Sequence, residues 1–433
     1  MDSSSTAIHA SVLHCLADPD VCGSEAIQYI PEGTLLIADG HIVDCGTRES
    51  VSVPRHAEIM HLEDKLLLPG FIDTHVHYPQ VDIIASYGSQ LLEWLERYTF
   101  PAESRFHDIE HASDTAGFFL DELLRNGTTT ALVFGTVHPE SVDAFFDAAL
   151  SRQLRMICGK VMMNRHAPTE LLDTAESSRH DSQALIDRWH GRERLGYAVT
   201  PRFAPTSTPE QLTLAGALLD DNPGVHLHTH MAENADECDW VHSLFPQAED
   251  YLAVYEQFDL VRRRSVFAHA VHLPGNAWKR LAAAEAAVAH CPCSNLFIGS
   301  GLFDLRSAQK HGVKLGLGTD IGGGDSFSLL RVVNEAYKVQ QLQRHTLTAE
   351  YALYLATLGG ARALDLDAHI GNFEPGKEAD FIVIDERSTP LMTRRMTNEP
   401  DWRNRLFTLF MLGDDRSVQQ TWIMGKPAHT RQP

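Results

Sequence analysis

Short apolar runs, each followed by a longer amphipathic stretch, recur about eight times between Leu66 and residue 340. The apolar runs have the length of buried strands, and the amphipathic stretches have the period of helices that cover a sheet. Strands and helices that alternate in this way pair in parallel, and eight such units that close on themselves form a (β/α)8 barrel. The predicted barrel strands are 66–75, 128–134, 155–163, 195–202, 225–232, 265–271, 286–291 and 313–319.

The two ends of the chain have a different pattern. Residues 6–65 predict short strands separated by turns, including a hairpin at Asp39-Gly40. After a helix predicted near 348–363, strand character returns over 370–385. We therefore predict an α/β fold, a TIM-type barrel with a small β-sandwich domain built from both chain termini. The predicted domains are a composite β domain of residues 1–67 and 370–433 and a barrel of residues 68–369.

Composition narrows the class of partner. A chain that is 43% hydrophobic and 22% charged can bury a large core. Its 36 basic and 58 acidic residues give a net charge of −22, which repels nucleic acids and anionic membrane surfaces, so we expect neither as a partner. The first ten residues carry no Lys or Arg, and no apolar run approaches the roughly 18 residues of a membrane span, so we expect neither a secretion signal nor membrane insertion. The seven cysteines form no paired C-x-x-C units, so we expect reduced thiols and a cytoplasmic location.

The sharpest chemical signal is a pair of histidines at the end of the first predicted barrel strand. His75 and His77 are separated by one residue in the segment Pro69–His77. Alternation along a strand places both imidazoles on one face, and barrel enzymes build their sites at the C-terminal ends of the strands. The spacing therefore predicts that both side chains bind one metal ion.

The fifth predicted strand carries three further histidines on one face, His226, His228 and His230. Only the residue nearest the C-terminal end of the strand reaches the barrel mouth, which selects His230 as a metal ligand. We expect His226 and His228 to be core histidines whose hydrogen bonds are satisfied. His228 should lie inside the barrel or contact one of the metal-ligating side chains. Glu233 follows His230 by three residues.

Two more polar residues end predicted strands, His269 on the sixth and Asp320 on the eighth. Imidazoles with a carboxylate oxygen suit one zinc ion per subunit, with iron as an alternative, and leave a position for water. A metal there lowers the pKa of water towards about 7 and so supplies a hydroxide nucleophile. We expect catalytic roles for three residues: Asp320 accepts the proton of water, Glu233 carries protons to a ring nitrogen and leaving group, and His269 orients the water.

Three other motifs predict structural roles. Lys160 could be carbamylated to bridge two metals, but a mononuclear ligand set is complete without it, so we expect a structural or pocket-lining lysine. Gly371 and Gly376-Lys377 have the spacing of a P-loop, but Glu378 occupies the position where a P-loop has Ser or Thr. Cys291 and Cys293 lack the spacing of a structural zinc site and are expected to pack as small apolar residues.

Over about residues 30–425 the chain resembles the guanine deaminases of the amidohydrolase superfamily. The similar segments, beyond His75-x-His77, are His77–Gln80, Leu92–Glu103, Thr200–Pro205, His230–Asn234, His290–Asn295 and Gly318–Gly323. The resemblance implies a metal-dependent enzyme of purine catabolism that acts on C–N bonds in cyclic amidines. A zinc-bound hydroxide would attack C2 of guanine and release xanthine and ammonia. It also implies a homodimer.

Carried over by position, the resemblance implies roles for individual residues. The implied zinc ligands are His75, His77, His230 and Asp320. The implied purine contacts are Gln80, Arg202, Phe203, Glu233 and His230, with His269 beside the catalytic water. Guanine agrees with this set, because its O6 and N7 accept hydrogen bonds that Arg202 and Gln80 can donate, whereas adenine presents an amino group at C6. Phe203 can pack on the ring face.

One segment departs from the family pattern. The family usually has Asp, Arg and Asn before the proline that follows the third strand, and this chain has Asn164-Arg165-His166. The loss of a carboxylate puts in doubt the shape of this loop and the substrate preference. The alternatives left open are a related purine or pterin aminohydrolase, a cyclic-amide hydrolase of the same superfamily, and a non-catalytic barrel.

Overall fold

The computed structural model describes residues 5–88 and 90–432. The strands in chain order are β1 (Ser5–Cys15), β2 (Ile27–Ala38), β3 (His41–Thr47), β4 (Glu58–Pro69), β5 (Phe71–His77), β6 (Thr128–Phe134), β7 (Arg155–Gly159), β8 (Val161–Met162), β9 (Gly196–Pro201), β10 (His226–Met231), β11 (Ser265–His269), β12 (Ala287–His290), β13 (Lys314–Leu317), β14 (Phe381–Ile384), β15 (Val418–Ile423) and β16 (Lys426–Thr430). The α-helices are α1 (Pro19–Cys22), α2 (Leu91–Trp94), α3 (Phe100–Glu103), α4 (Ile109–Arg125), α5 (Pro139–Ser151), α6 (Ala175–Trp189), α7 (Pro209–Asp221), α8 (Ala235–Leu244), α9 (Tyr251–Glu256), α10 (Gly275–Ala283), α11 (Pro292–Phe297), α12 (Leu305–His311), α13 (Leu329–Leu342), α14 (Ala349–Ala356), α15 (Leu358–Ala363), α16 (Pro390–Met396) and α17 (Trp402–Leu412).

Eight parallel strands close into the predicted (β/α)8 barrel. They follow the order β5-β6-β7-β9-β10-β11-β12-β13, and β13 pairs with β5 to complete the circle. Each observed strand from β6 to β13 lies within a predicted range. The spacing of the apolar runs was sufficient to locate these strands. Strands that face helices on one side and the barrel interior on the other are apolar throughout.

The first predicted barrel strand, 66–75, is wrong at Gly70. Residues before Gly70 belong to β4 of a different sheet, and the barrel strand β5 starts at Phe71. A Cβ atom on Gly70 would lie 2.1 Å from the side-chain oxygen of Thr129, so the chain changes sheets where only glycine fits. Both flanking runs are buried and apolar, and their pattern does not show the break.

Strands from both ends of the chain lie together, as the sequence predicted, and they form one mixed seven-stranded sheet rather than the two facing sheets of a sandwich. Its order is β16-β15-β14-β4-β1-β2-β3, and Ile8, Leu67 and Phe381 belong to one apolar cluster on it. The predicted hairpin joins β2 to β3, with positive φ angles of 50° at Asp39 and 78° at Gly40. Both angles suit a two-residue hairpin turn.

The C-terminal part differs from its predicted pattern in two places. Of residues 370–385, only Phe381–Ile384 form a strand. Residues 390–412 contain the helices α16 and α17, and α17 packs against barrel helices, where Asn334 Nδ2 donates to the carbonyl of Met411 at 3.0 Å. The predicted helix over 348–363 forms as α14 and α15, which meet at Thr357. Within residues 5–88 and 90–432, no helix combines the length and hydropathy that a membrane crossing requires.

A buried ionic network joins the barrel to the mixed sheet. Arg155 and Arg194, at or before the starts of β7 and β9, hold Glu378 and Asp380, which precede β14. Arg194 Nη2 lies 2.7 Å from Glu378 Oε2 and also pairs with Asp380, whose side chain is 2% exposed. The arginines lie at the N-terminal ends of barrel strands, opposite the end where barrel enzymes place their sites.

Replacing Arg194 by Ala leaves Asp380 buried without its cation. We expect R194A to lower the free energy of unfolding by about 3 kcal/mol, because a buried charge that loses its partner is strongly destabilising. Chemical denaturation measures the change, and R55A, which alters the exposed Arg55, is the control. Equal unfolding free energies for the two variants would contradict a stabilising role for this network.

Candidate active site

Four side chains predicted as metal ligands converge at the C-terminal mouth of the barrel. His75 Nε2 lies 3.1 Å from Asp320 Oδ1. His77 Nε2 lies 3.1 Å from His230 Nε2 and 3.4 Å from Asp320 Oδ1. Ligand bonds of about 2.1 Å in a tetrahedral zinc site place ligand atoms about 3.4 Å apart, so these separations suit a single central cation.

The protonation of these side chains also fits a cation. Burial lowers the pKa of His75, and it lowers the pKa values of His77 and His230 well below the ordinary histidine value, so all three imidazoles are neutral. His230 Nδ1 donates to the carbonyl of Arg202 at 2.7 Å, which leaves the Nε2 lone pair facing the cluster. Neutral imidazole nitrogens and a carboxylate oxygen are the donors that zinc and related divalent metals prefer.

Asp73 fixes two of the converging segments. Its Oδ1 accepts the backbone N–H groups of His75 and Thr319, each at 3.1 Å, and the Thr319 hydroxyl donates to its Oδ2. The paired strands β5 and β13 share a single Cα register pair, and this carboxylate adds further hydrogen bonds between the two segments. Burial raises the pKa of Asp73 to about 7. The sequence prediction missed Asp73, although it lies two residues before His75.

The remaining histidines of β10 lie behind the cluster. His228 Nε2 is 2.7 Å from His75 Nδ1, and His226 Nε2 is 2.8 Å from the carbonyl of Leu364. The hydrogen bond between His228 and His75 Nδ1 leaves Nε2 of His75 facing the other candidate ligands. Residues that contact metal-ligating histidines from outside commonly orient them in this way. The Phe134 ring, at the end of β6, packs against His75, His77, His228 and His230 with centroid separations of 4.3–5.4 Å. No prediction was made for Phe134.

Two carboxyl groups with opposite pKa shifts face the same space. Burial raises the pKa of Glu233 well above its usual value, and the charges of Asp320 and Glu237 add to the effect. Burial opposes ionisation of Asp320 as well, but His75 and His269 outweigh it and lower the pKa of Asp320. Pairs of neighbouring carboxyl groups whose environments shift their pKa values in opposite directions are typical of an acid and base pair.

His269 lies between these two carboxyl groups. Its Nε2 is 3.4 Å from Glu233 Oε2 and 3.7 Å from Asp320 Oδ2. Its Nδ1 is 2.9 Å from Asn295 Oδ1, which holds the ring in place. The candidate donor atoms of His75, His230, His269 and Asp320 all lie within 4.8 Å of one another, so His269 belongs to a group that could hold a metal ion and also faces Glu233.

Glu233 is held by contacts that the sequence prediction did not include. Ser300 Oγ donates to Glu233 Oε1 at 3.2 Å. The backbone N–H of Glu233 donates at 2.9 Å to Glu237 Oε2, the buried capping residue of α8. Capping boxes are visible in sequence as a polar residue followed by Glu three positions later, and Asn234 with Glu237 has this spacing.

The predicted purine contacts surround one pocket, and the candidate metal ligands His77, His230 and Asp320 lie at its side. The lining residues are His77, Gln80, Leu91, Trp94, Leu95, Arg202, Phe203, His230, Glu233, His269, Ile298, Asp320 and Gly323. The pocket thus combines hydrogen-bonding groups with apolar walls from α2 and its neighbours. Such a mixture is typical of sites for small planar molecules.

Two other sequence features lie outside this pocket. Lys160 is fully buried and pairs with Asp173, as predicted for a structural lysine. Asn164, in the segment that departs from the family pattern, exchanges hydrogen bonds of 2.8 and 2.9 Å with Thr208, the N-cap of α7. The departure is therefore accommodated by a loop contact.

Comparison with known proteins agrees with this architecture. Residues 66–428 match the amidohydrolase family. The chain belongs to the amidohydrolase family. It is 51% identical over 422 residues to the guanine deaminase of Escherichia coli K12, covering 97% of this chain and 96% of that protein. Among solved structures, E. coli guanine deaminase superposes with a TM-score of 0.96 at 50% identity and covers 99% of this chain and 100% of that chain. The guanine deaminase from Bradyrhizobium japonicum gives a TM-score of 0.96 at 36% identity, with the same coverage.

Removing one imidazole should weaken metal binding by this amidohydrolase. We expect the purified chain to hold about one divalent ion and H77A to lose most of it on dialysis, because three remaining ligands bind less tightly than four. Elemental analysis measures the metal, and thermal unfolding before and after chelation gives a second readout. H242A, at an exposed histidine of α8, is the control. Full metal retention by H77A would contradict its place in the ligand set.

Proposed function

We propose that this amidohydrolase converts guanine and water to xanthine and ammonia. The observation that carries the proposal is a single pocket in which the hydrogen-bond donors Arg202 and Gln80 share the lining with Glu233 and the metal cluster. The relatives of this chain that are named guanine deaminase support the same substrate.

Recognition of the base follows from the lining side chains. Guanine presents O6 and N7 as adjacent acceptors, and Arg202 and Gln80 supply N–H donors on that side. Phe203, Leu91 and Trp94 supply apolar surface for the ring faces. A base with an amino group at C6 would place donors against donors, which polar sites reject strongly. The net charge of −22 also suits a neutral base better than a nucleotide.

We propose zinc as the metal, one ion per subunit, held by His75, His77, His230 and Asp320, with iron as the alternative. A bound metal lowers the pKa of water and so supplies a hydroxide at neutral pH. Cytoplasmic location and a homodimer, both expected from the sequence and the resemblance, stay predictions.

The proposed proton transfers use three side chains. Asp320 takes a proton from the attacking water as oxygen bonds to C2, and Glu233 gives its proton to the ring nitrogen N3. Glu233 then carries the proton of the new C2 hydroxyl to the amino group, so that the C2–N bond breaks, the C2 carbonyl forms and ammonia leaves. The proton on Asp320 returns to Glu233 and restores both side chains. His269 lies within 3.7 Å of both carboxyl groups and so can orient the water. The raised pKa of Glu233 suits it as the acid.

The reaction products test the proposed function directly. Incubation of the zinc-loaded protein with guanine should release ammonia in equal amount to xanthine, measured by an ammonia assay and by mass spectrometry. Deamination replaces NH2 by OH, whereas opening of a cyclic amide adds a whole water. Absence of ammonia would exclude the proposal, and a product heavier by one water would favour the cyclic-amide hydrolase. Faster turnover of another purine or of a pterin would reassign the substrate.

Replacing Glu233 by Gln removes the proposed acid and keeps the size of the side chain. We expect kcat to fall by about 10²–10⁴-fold, the usual contribution of a general acid or base. Steady-state kinetics measures the loss, and elemental analysis checks that metal remains bound. D236N, which alters an exposed carboxylate on α8, should keep the activity of the unmodified protein. A loss below about threefold in E233Q would assign the proton transfers to another group.

A further inference from the structure

A buried carboxylate connects the two donors of the pocket. Glu103, the last residue of α3, accepts a hydrogen bond from Arg202 Nη1 at 2.7 Å through Oε2. Its other oxygen, Oε1, accepts from Gln80 Nε2 at 3.0 Å. The side chains of Glu103 and Arg202 are 1% and 3% exposed. Glu103 is not among the described residues that line the pocket, so it acts on a ligand only through its two partners.

We propose that Glu103 is a positioning residue that orients Gln80 and Arg202 and thereby sets specificity for a base with an oxo group at C6. The proposal rests on the proposed function, because it takes these two side chains as the purine contacts.

The orientation of the Gln80 amide depends on Glu103. Gln80 Oε1 accepts the backbone N–H of Gly322 at 3.2 Å, and Nε2 donates to Glu103. An ionised carboxylate only accepts hydrogen bonds, so the amide nitrogen must face Glu103 and its second N–H remains available to the pocket. If the amide turned over, its oxygen would face an acceptor on the purine, and the contact would become repulsive.

The position of Arg202 depends on the same carboxylate. Among the described residues, Glu103 accepts the hydrogen bond of the Arg202 guanidinium. The Cζ atom of Arg202 also lies 5.6 Å from the centroid of the Phe100 ring. The carbonyl of Arg202 accepts from His230 Nδ1 at 2.7 Å, so the backbone of this residue is anchored to the metal cluster. Glu103 thus holds the guanidinium at a fixed distance from the cluster, and the remaining N–H groups stay free for the ligand.

The binding of two unreactive bases distinguishes a loss of orientation of Gln80 and Arg202 from a general disruption of the pocket. Hypoxanthine carries the 6-oxo group and purine does not, and neither has the amino group that the reaction removes. In E103Q the new amide keeps one oxygen acceptor and places its NH2 group against either Gln80 or Arg202, which are both donors, so one of the two contacts is lost. We expect calorimetry on the zinc-loaded protein to show hypoxanthine binding weakened at least about tenfold, because charge-assisted contacts are lost, and purine binding changed less than about twofold.

Two further variants complete the test. E96Q alters an exposed glutamate in the adjacent π-helical segment Leu95–Thr99 and should bind both bases as the unmodified protein does. E103D keeps the negative charge and should weaken hypoxanthine less than E103Q does. If E103Q fails to fold in thermal unfolding experiments, E103D still decides, because its loss should fall on hypoxanthine more than on purine.

The outcomes separate this inference from the proposed function. Equal weakening of hypoxanthine and purine, or unchanged binding of both, would overturn the positioning role of Glu103. So would an equal loss of hypoxanthine binding in E103D and E103Q. The proposed function fails separately, when the unmodified protein releases no ammonia from guanine.

Discussion

The structure depends on the burial of three neutral imidazoles and one carboxylate around a common point. Desolvation lowers the pKa values of His75, His77 and His230, so the ring nitrogens keep their lone pairs, and Asp320 supplies the negative charge. Such a cluster of donors to a metal is stable in a barrel mouth because each side chain is fixed by a strand end. A cation bound at this point would attract all four donor atoms. Because His77, His230 and Asp320 also line the adjacent pocket, their fixed positions define one wall of that pocket.

Buried carboxylates outside the cluster maintain that geometry. Asp73 joins the segments that carry His75 and Asp320, Glu103 joins the two donors of the pocket, and Glu237 holds the backbone at Glu233. Each accepts at least two hydrogen bonds, which offsets the cost of burying a polar side chain. The residues proposed to contact the substrate and those that orient them are therefore different sets, and a buried acidic side chain connects them in each case.

The residues at strand ends could be predicted because alternation and barrel topology together fix where they point. His75, His77, His230, His269 and Asp320 needed no tertiary contact for their assignment. Glu103 could not be predicted in this way, because its burial depends on how the segment after β5 folds against Arg202, more than ninety positions away in sequence. The break at Gly70 was hidden because both sheets bury apolar residues there. Helices α16 and α17 were missed because the strand signal of β14 was extended over the whole C-terminal segment.

A crystal structure of the zinc-loaded protein with xanthine tests the central claim, the joint placement of metal and base by one pocket. The account predicts a single ion bonded to His75, His77, His230 and Asp320, with the 6-oxo edge of the base on Arg202 and Gln80 and C2 towards Glu233. An ion bound without His77, or a base turned with its 6-oxo edge towards Glu233, would contradict it.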